Sequence, residues 1–221
     1  MTHSPGAILG PVDDDRWRRG VDDRLVALLE PGARVLDVGC GRGGLVRRLR
    51  SRGLDAYGVD PRAPQEPHLT TAKAEELDGD QAYDAVSAVM SLHHAELGPV
   101  CSAVARLLRP DGVLVVSEFD WPAYDGRVAR WLSEVDRSSA DRSVSGWRAE
   151  HAGLHACPTL RTALARVFVV EAEQRGPYFA RMLRRPELED DERVRIDGGR
   201  LPALGLEYVC RQIQPRRRKT A

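Results

Sequence analysis

The sequence predicts an α/β fold: a doubly wound, mostly parallel sheet of seven strands with helices on both faces. Three observations carry that expectation. Short runs rich in Val and Ala alternate with segments of helical periodicity through the first 120 residues, the pattern of repeated strand–helix–strand units. The first of these runs ends in a glycine-rich turn, Gly39-Cys40-Gly41-Arg42-Gly43-Gly44, which lets a strand pass sharply into a helix. Finally, 221 residues that are 42% hydrophobic fill one sizeable core, whereas two full domains would be crowded.

Taken in order, residues 1–12 carry Pro and Gly without apolar periodicity and read as a flexible arm, ahead of a single domain over 13–214. A first helix is expected over 13–30, with Asp13, Asp14 and Asp15 at its positive end and Val21, Leu25, Leu28 and Leu29 on one face. Pro31-Gly32 stops it. Residues 34–38 read as a buried strand, 43–52 as a helix and 56–59 as a second strand ending at Asp60. Pro61, Pro64 and Pro67 stand where a crossover helix would often lie, so that connection should be short or irregular, with a weak strand over 68–72. A fourth strand over 83–89, a helix over 97–108 ending before Pro110-Asp111-Gly112, and a fifth strand over 113–118 restore the alternation. After Trp121-Pro122 the rhythm changes to helical patterns over 127–138 and around 146–155, then a helix over 159–166 whose first turn tolerates Pro158. Strands over 167–173 and 206–213 are expected to pair as an antiparallel hairpin at the sheet edge.

Lys plus Arg and Asp plus Glu both number 33. No net field then draws the chain to nucleic acid or to an anionic membrane, and neither is an expected partner. The basic run in the tail over 215–221 reads as a solvated end. No apolar segment approaches the roughly 18 residues of a membrane span, and no signal-peptide core follows Met1, so a cytoplasmic monomer or homodimer is expected. Cys40, Cys101, Cys157 and Cys210 lack C-x-x-C spacing and suit reduced thiols.

The glycine turn fits two patterns. Gly39-x-Gly41-x-x-Gly44 is the loose dinucleotide form, in which backbone amides approach a pyrophosphate. The same residues fit the stricter Asp37-x-Gly39-x-Gly41-x-Gly43, with a carboxylate at the strand end facing the ligand. That acid would repel a pyrophosphate and attract a ligand carrying an ammonium and a sulfonium.

With these segments placed, the chain resembles the class I S-adenosylmethionine-dependent methyltransferases over about 13–213. Four segments carry the resemblance in order: Asp37 to Gly43, the acid of Gly58-Val59-Asp60, the Ala74-Glu75-Glu76-Leu77 loop with Tyr83-Asp84-Ala85-Val86 and Ser91-Leu92-His93-His94, and Leu107-Leu108-Arg109-Pro110-Asp111-Gly112. The resemblance implies a Rossmann-like sheet with strand order 3-2-1-4-5-7-6 and S-adenosyl-L-methionine as donor, leaving S-adenosyl-L-homocysteine. It implies cofactor contacts from Asp37, Gly39, Cys40, Gly41, Asp60, Pro61, Ala74, Glu75, Val89 and Met90, with Asp60 taking the ribose hydroxyls. The sequence departs from the family at Lys73, where many members present an acid to the adenine amino group, and a lysine has no acceptor to offer. Either Glu75 takes that role or Ala74, Leu77 and Val89 hold the ring by backbone and apolar contact.

The acceptor side is read from the residues after strands four and five. His93 and His94 are candidate general bases, His93 the favoured one. The turn is not Asn-Pro-Pro-Tyr, which lowers the odds for adenine or glutamine amide acceptors. Trp17, Glu118, Trp121, Tyr124, His151 and His155 form the candidate acceptor set, and 121–157 a helical acceptor-binding insertion over a small-molecule site. His151 and His155, at i and i+4, could share a helix face and bind a metal if Glu118 or Asp120 converged, but no metal site is assigned. Cys157 reads as a packed thiol. The function expected is methyl transfer to a small molecule, by O- or N-methylation. The rivals are a nicotinamide-dependent reductase, which Asp37 and the lack of a Tyr-x-x-x-Lys pair oppose, and a non-catalytic domain that binds the same cofactor.

Overall fold

The computed structural model describes residues 20–136, 138 and 140–213. The expected arm over 1–12, the first turns of the opening helix with Trp17, and the tail over 215–221 lie outside the described residues. The elements run α1 (Val21–Leu28), β1 (Arg34–Val38), α2 (Gly44–Ser51), β2 (Asp55–Val59), β3 (Leu69–Thr70), β4 (Tyr83–Val89), α3 (Leu97–Leu107) and β5 (Leu108–Phe119). Then follow α4 (Gly126–Val135), α5 (Val144–His151), α6 (Cys157–Leu164), β6 (Phe168–Gly176), α7 (Phe179–Met182), α8 (Glu189–Asp197) and β7 (Gly205–Gln212). The strands form one seven-stranded sheet in the order β3-β2-β1-β4-β5-β7-β6. Pairing is parallel from β3 through β5, and β7 lies antiparallel between β5 and β6.

Period-two alternation divides the core. Leu36 and Val38 of β1 join Val86 and Ala88 of β4 on one face, beneath α3 and α6. Val35, Ala85 and Val89 join the opposite face with Leu25 of α1 and Leu45 and Leu49 of α2. Burial on both faces is why these strands read as apolar runs. Leu28, expected on the apolar face of the first helix, is instead 42% exposed, because α1 docks only its Val21–Leu25 edge.

A third apolar cluster sits beyond the carboxyl edge of the sheet. It joins Phe119 to Tyr124, Val128, Trp131 and Trp147, and also to Tyr178, Phe179, Leu201 and Leu204. The helical layer expected over 121–157 is therefore completed by α7 and α8, which lie between the two edge strands where a simple hairpin was expected. β5 begins earlier than expected, and its pairing with β4 shifts register between Tyr83 and Ala85, where Pro110-Asp111-Gly112 bends the strand. Among the described residues no helix is long and apolar enough to cross a membrane.

Candidate active site

Most of the candidate residues gather at the carboxyl ends of β1, β2, β4 and β5, the edge at which open α/β sheets bind ligands. The turn after β1 folds back onto β2, with the Gly39 and Cys40 amides donating to the Val59 carbonyl at 2.8 and 3.2 Å. Gly39 has φ +74, and a Cβ there would lie 2.3 Å from the Ser91 Cβ, so glycine is required by conformation and by space. Asp60 follows β2 and is 8% exposed. Its carboxylate accepts the Arg62 amide at 2.7 Å and the Gly41 amide at 3.2 Å, which aims it at the turn. Two contacts do not exhaust its lone pairs, so it can still receive sugar hydroxyls.

These residues border a cleft of about 360 Å³. Of the expected cofactor residues, Gly39, Asp60, Pro61, Ala74, Glu75, Val89 and Met90 line it. Lys73 lines it too and is exposed, while its amide donates to Glu76 Oε2 at 2.9 Å. Gly41 reaches the cleft through Asp60. Asp37 and Cys40 do not face it. Both are fully buried, and Asp37 sits on the α1/α2 side of β1, where register places it opposite Ser87 and the Ser87 hydroxyl donates to Oδ1 at 2.9 Å. The expectation that Asp37 faces the ligand is corrected on that geometry: its carboxylate lies beneath the turn. Cys40 packs against Gly58, where a Cβ would meet its Sγ at 2.6 Å.

At the far wall of the cleft, Met90 leaves β4 with φ +50, a left-handed backbone that non-glycine residues seldom adopt. The chain then turns through Ser91, Leu92 and His93. Glu118, at the end of β5 and 2% exposed, organises this turn. Its Oε1 accepts the Ser91 and Leu92 amides at 2.9 and 2.8 Å, and its Oε2 lies 2.6 Å from His93 Nδ1. A carboxylate already receiving two amides acts as acceptor, so Nδ1 carries the proton and His93 Nε2 presents its lone pair. That nitrogen is buried and has no hydrogen-bond partner among the described residues, and His93 is one of the residues that line the cleft. Glu118, expected in the acceptor set, is a positioning group for His93. His94 lines the same cleft at its exposed mouth, and desolvation with His93 beside it pulls its pKa down to about 4.

The remaining candidates are placed by the helical layer. Tyr124 is fully buried, stacked on Trp147 at 4.5 Å with its hydroxyl donating to the Arg142 carbonyl, so it belongs to the core of that layer and not to an acceptor surface. Trp121 is half-buried against His151, its indole N–H without a partner among the described residues. His151 ends α5, and His155 lies beyond the helix, so the shared i, i+4 face does not form. His151 Nδ1 donates to the Trp147 carbonyl at 2.8 Å, and burial holds its pKa below the usual histidine value. His155 instead pins the turn that bears His93, its amide donating to the His93 carbonyl and its Nε2 to the Ala95 carbonyl, both at 3.1 Å. Among the described residues no three His, Cys, Asp or Glu side chains gather as a metal site. Burial pushes the Cys157 thiol up, leaving it a packed, unactivated side chain.

A family model described as a methyltransferase domain matches residues 13–168. The chain belongs to this methyltransferase family. An uncharacterized methyltransferase of Mycobacterium tuberculosis is 36% identical over 148 residues, 61% of this chain and 58% of that protein. A ubiquinone biosynthesis O-methyltransferase of Rhodopseudomonas palustris is 29% identical over 123 residues, 46% of this chain and 49% of that protein. The matched stretch thus spans about half the length of these curated relatives. Among solved structures, Burkholderia thailandensis 1,6-didemethyltoxoflavin-N1-methyltransferase, with its substrate and S-adenosylhomocysteine bound, superposes with a TM-score of 0.59 at 22% identity, covering 91% of this chain and 80% of that one. A Pyrococcus horikoshii protein gives 0.61 at 16% identity, covering 93% of each chain. At these identities the likeness is one of fold.

Within the methyltransferase, three residues that shape the site escaped the sequence reading. Ser87 supports Asp37, Gly58 makes room for Cys40, and Glu192, 1% exposed, accepts the amides of Tyr178, Phe179 and Ala180. Ser87 alone left a usable signal: a lone polar residue in the apolar run of β4.

Proposed function

We propose that this chain transfers the methyl group of S-adenosylmethionine to the hydroxyl or amine of a small molecule, releasing S-adenosylhomocysteine, with His93 as general base. The observation that carries the reading is the buried, unpartnered Nε2 of His93 at the cleft wall, its other nitrogen held by Glu118. The cleft fits the donor: Asp60 offers acceptors to ribose, Gly39 lets the backbone approach, and Ala74, Val89 and Leu92 supply apolar surface for a flat ring. Glu75 and the backbone around Ala74 take the adenine edge in place of an acid at Lys73. Asp37 acts from beneath the turn, contributing negative potential and support, not direct contact.

When bound, the sulfonium supplies an electrophilic methyl group and a neutral thioether leaving group. His93 Nε2 takes the proton that the acceptor loses as its oxygen or nitrogen attacks, and Glu118 stabilises the imidazolium that results. The turn fixed by Glu118 and His155 holds that nitrogen in one place, so acceptor positioning adds to proton transfer. The names of the relatives, one an O- and one an N-methyltransferase, are compatible with either acceptor atom.

Release of S-adenosylhomocysteine, measured with a panel of phenols, alcohols and amines, tests the reading. Acceptor-dependent release is expected. His93→Ala should lower kcat by about 10²- to 10⁴-fold with product affinity unchanged, and a variant as fast as the parent would remove His93 as base. Donor binding without release on any acceptor would favour the non-catalytic rival.

A further inference from the structure

A second opening, of about 170 Å³, lies at the same sheet edge between β5, the start of β7, the end of β6 and α7. Met90 lines both this opening and the donor cleft, and Glu118 lines it while its carboxylate reaches His93. Four arginines, Arg24, Arg175, Arg181 and Arg193, face it. Two are already held. Arg24 pairs with Glu207 and donates to Gln174 Oε1 at 2.9 Å, and Arg175 pairs with Asp120 at 2.7 Å and Glu173 at 3.4 Å. The other two share one acceptor: Arg181 and Arg193 approach the same oxygen, Oε1 of Glu189, at 4.0 and 3.2 Å. Arg181 also acts on the Glu207 carboxylate in the lining, so among the described residues these two arginines meet one carboxylate, Glu189, at ion-pair distance and a second, Glu207, at longer range. Asp120, Glu173 and Glu189 do not line the opening, so they hold the guanidinium groups from behind. The carboxylates that do line it are engaged, Glu118 by three donors and Glu207 by Arg24.

We propose that this opening receives an anionic group of the methyl acceptor, a carboxylate or a phosphate, and that Arg181 and Arg193 read it. The inference rests on the function proposed above, for it makes the second opening the acceptor side of the same site. A guanidinium fork matches the two oxygens of either anion, and forks anchored by carboxylates behind them need little reordering to do so. An acceptor seated here extends past Met90 toward His93, which separates its charged end from its reacting atom.

The test has a binding arm and a turnover arm. Inorganic phosphate and benzoate are titrated by calorimetry into the protein saturated with S-adenosylhomocysteine. Binding is expected for the parent and should weaken about tenfold or more in Arg181→Gln/Arg193→Gln, as loss of one or two charge-assisted hydrogen bonds implies. Product affinity, unchanged in that variant, reports that the fold is intact. Arg181→Lys/Arg193→Lys, which keeps charge and loses the fork, should fall between. In turnover, the double Gln variant should lose kcat/KM at least tenfold for hydroxybenzoates and less than twofold for the matching uncharged phenols. Anion binding insensitive to both variants, or equal losses on charged and uncharged acceptors, would overturn the proposal. Arginine-dependent anion binding with no turnover of any acceptor would leave the anion site standing and reject the function on which its acceptor role rests.

Discussion

His93 and Glu118 show how one hydrogen bond sets the chemistry of a ring. Glu118 can only accept at Oε2, so the proton stays on Nδ1 and the lone pair stays on Nε2. Glu118→Gln tests this with little change of shape. The amide oxygen can keep the Ser91 and Leu92 amides, which turns its NH₂ toward His93 Nδ1 and forces the proton onto Nε2. The expected result is a fall in kcat of about 10²- to 10⁴-fold with KM for donor and acceptor nearly unchanged. A merely structural role for Glu118 would instead appear as lower stability and weaker cofactor binding. The role of Glu118 was not legible in the sequence, since its partner lies 25 residues away and only the pairing of β4 with β5 brings them together. Asp60 was legible, because an acid closing an apolar strand lies at the ligand edge whatever its neighbours.

At the scale of elements, the parallel part of the sheet was the most readable, since burial on both faces leaves uninterrupted apolar runs bounded by Gly and Pro. The stretch 178–204 was the least readable. Helix α7 has only four residues, and α8, Glu-Asp-Asp-Glu-Arg-Val-Arg-Ile-Asp, carries almost no apolar stripe. What holds these helices to the cluster around Phe119 is a buried carboxylate: Glu192 of α8 receives the three amides that open α7, at 2.7, 2.9 and 2.8 Å. Glu192→Ala strands those donors in an apolar setting, at about 1–3 kcal/mol for each that water does not reach. A loss of at least about 2 kcal/mol in urea unfolding is expected, with a smaller loss for Glu192→Gln, whose amide oxygen can still serve Tyr178 and Phe179. An alanine variant as stable as the parent would mean that α7 stays capped without the carboxylate. Loosening of α7 should also weaken anion binding in the calorimetric test, because Arg181 sits on it.

Across the whole molecule, two linkages connect the site to stability. The first is with protons. His151 is buried, its pKa held down mainly by burial, and the more exposed His94 is pulled down to about 4. The unfolded chain takes up protons near the ordinary histidine value of about 6.5, whereas the folded chain resists until lower pH. Below about 6.5 the unfolded state binds more protons, so stability falls as pH drops, for His94 until about 4 is reached. Urea midpoints at pH 7 and pH 5 should show that loss, and His151→Gln should flatten the slope. The second linkage is with the donor. A ligand that binds only the folded chain adds RT ln(1 + [L]/Kd), or about 2.7 kcal/mol at a hundredfold excess over Kd, and about 2–4 °C in Tm accompanies each kcal/mol in a chain of this size. S-adenosylhomocysteine at that excess should therefore raise Tm by about 5–11 °C, and NAD or NADP at equal concentration should not. The contrast follows from the glycine turn: Asp60 and the buried Asp37 give it negative potential on both sides, which suits the ammonium that S-adenosylhomocysteine shares with the donor and opposes a pyrophosphate. A nicotinamide cofactor that raised Tm while S-adenosylhomocysteine did not would make the turn a dinucleotide site and favour the reductase.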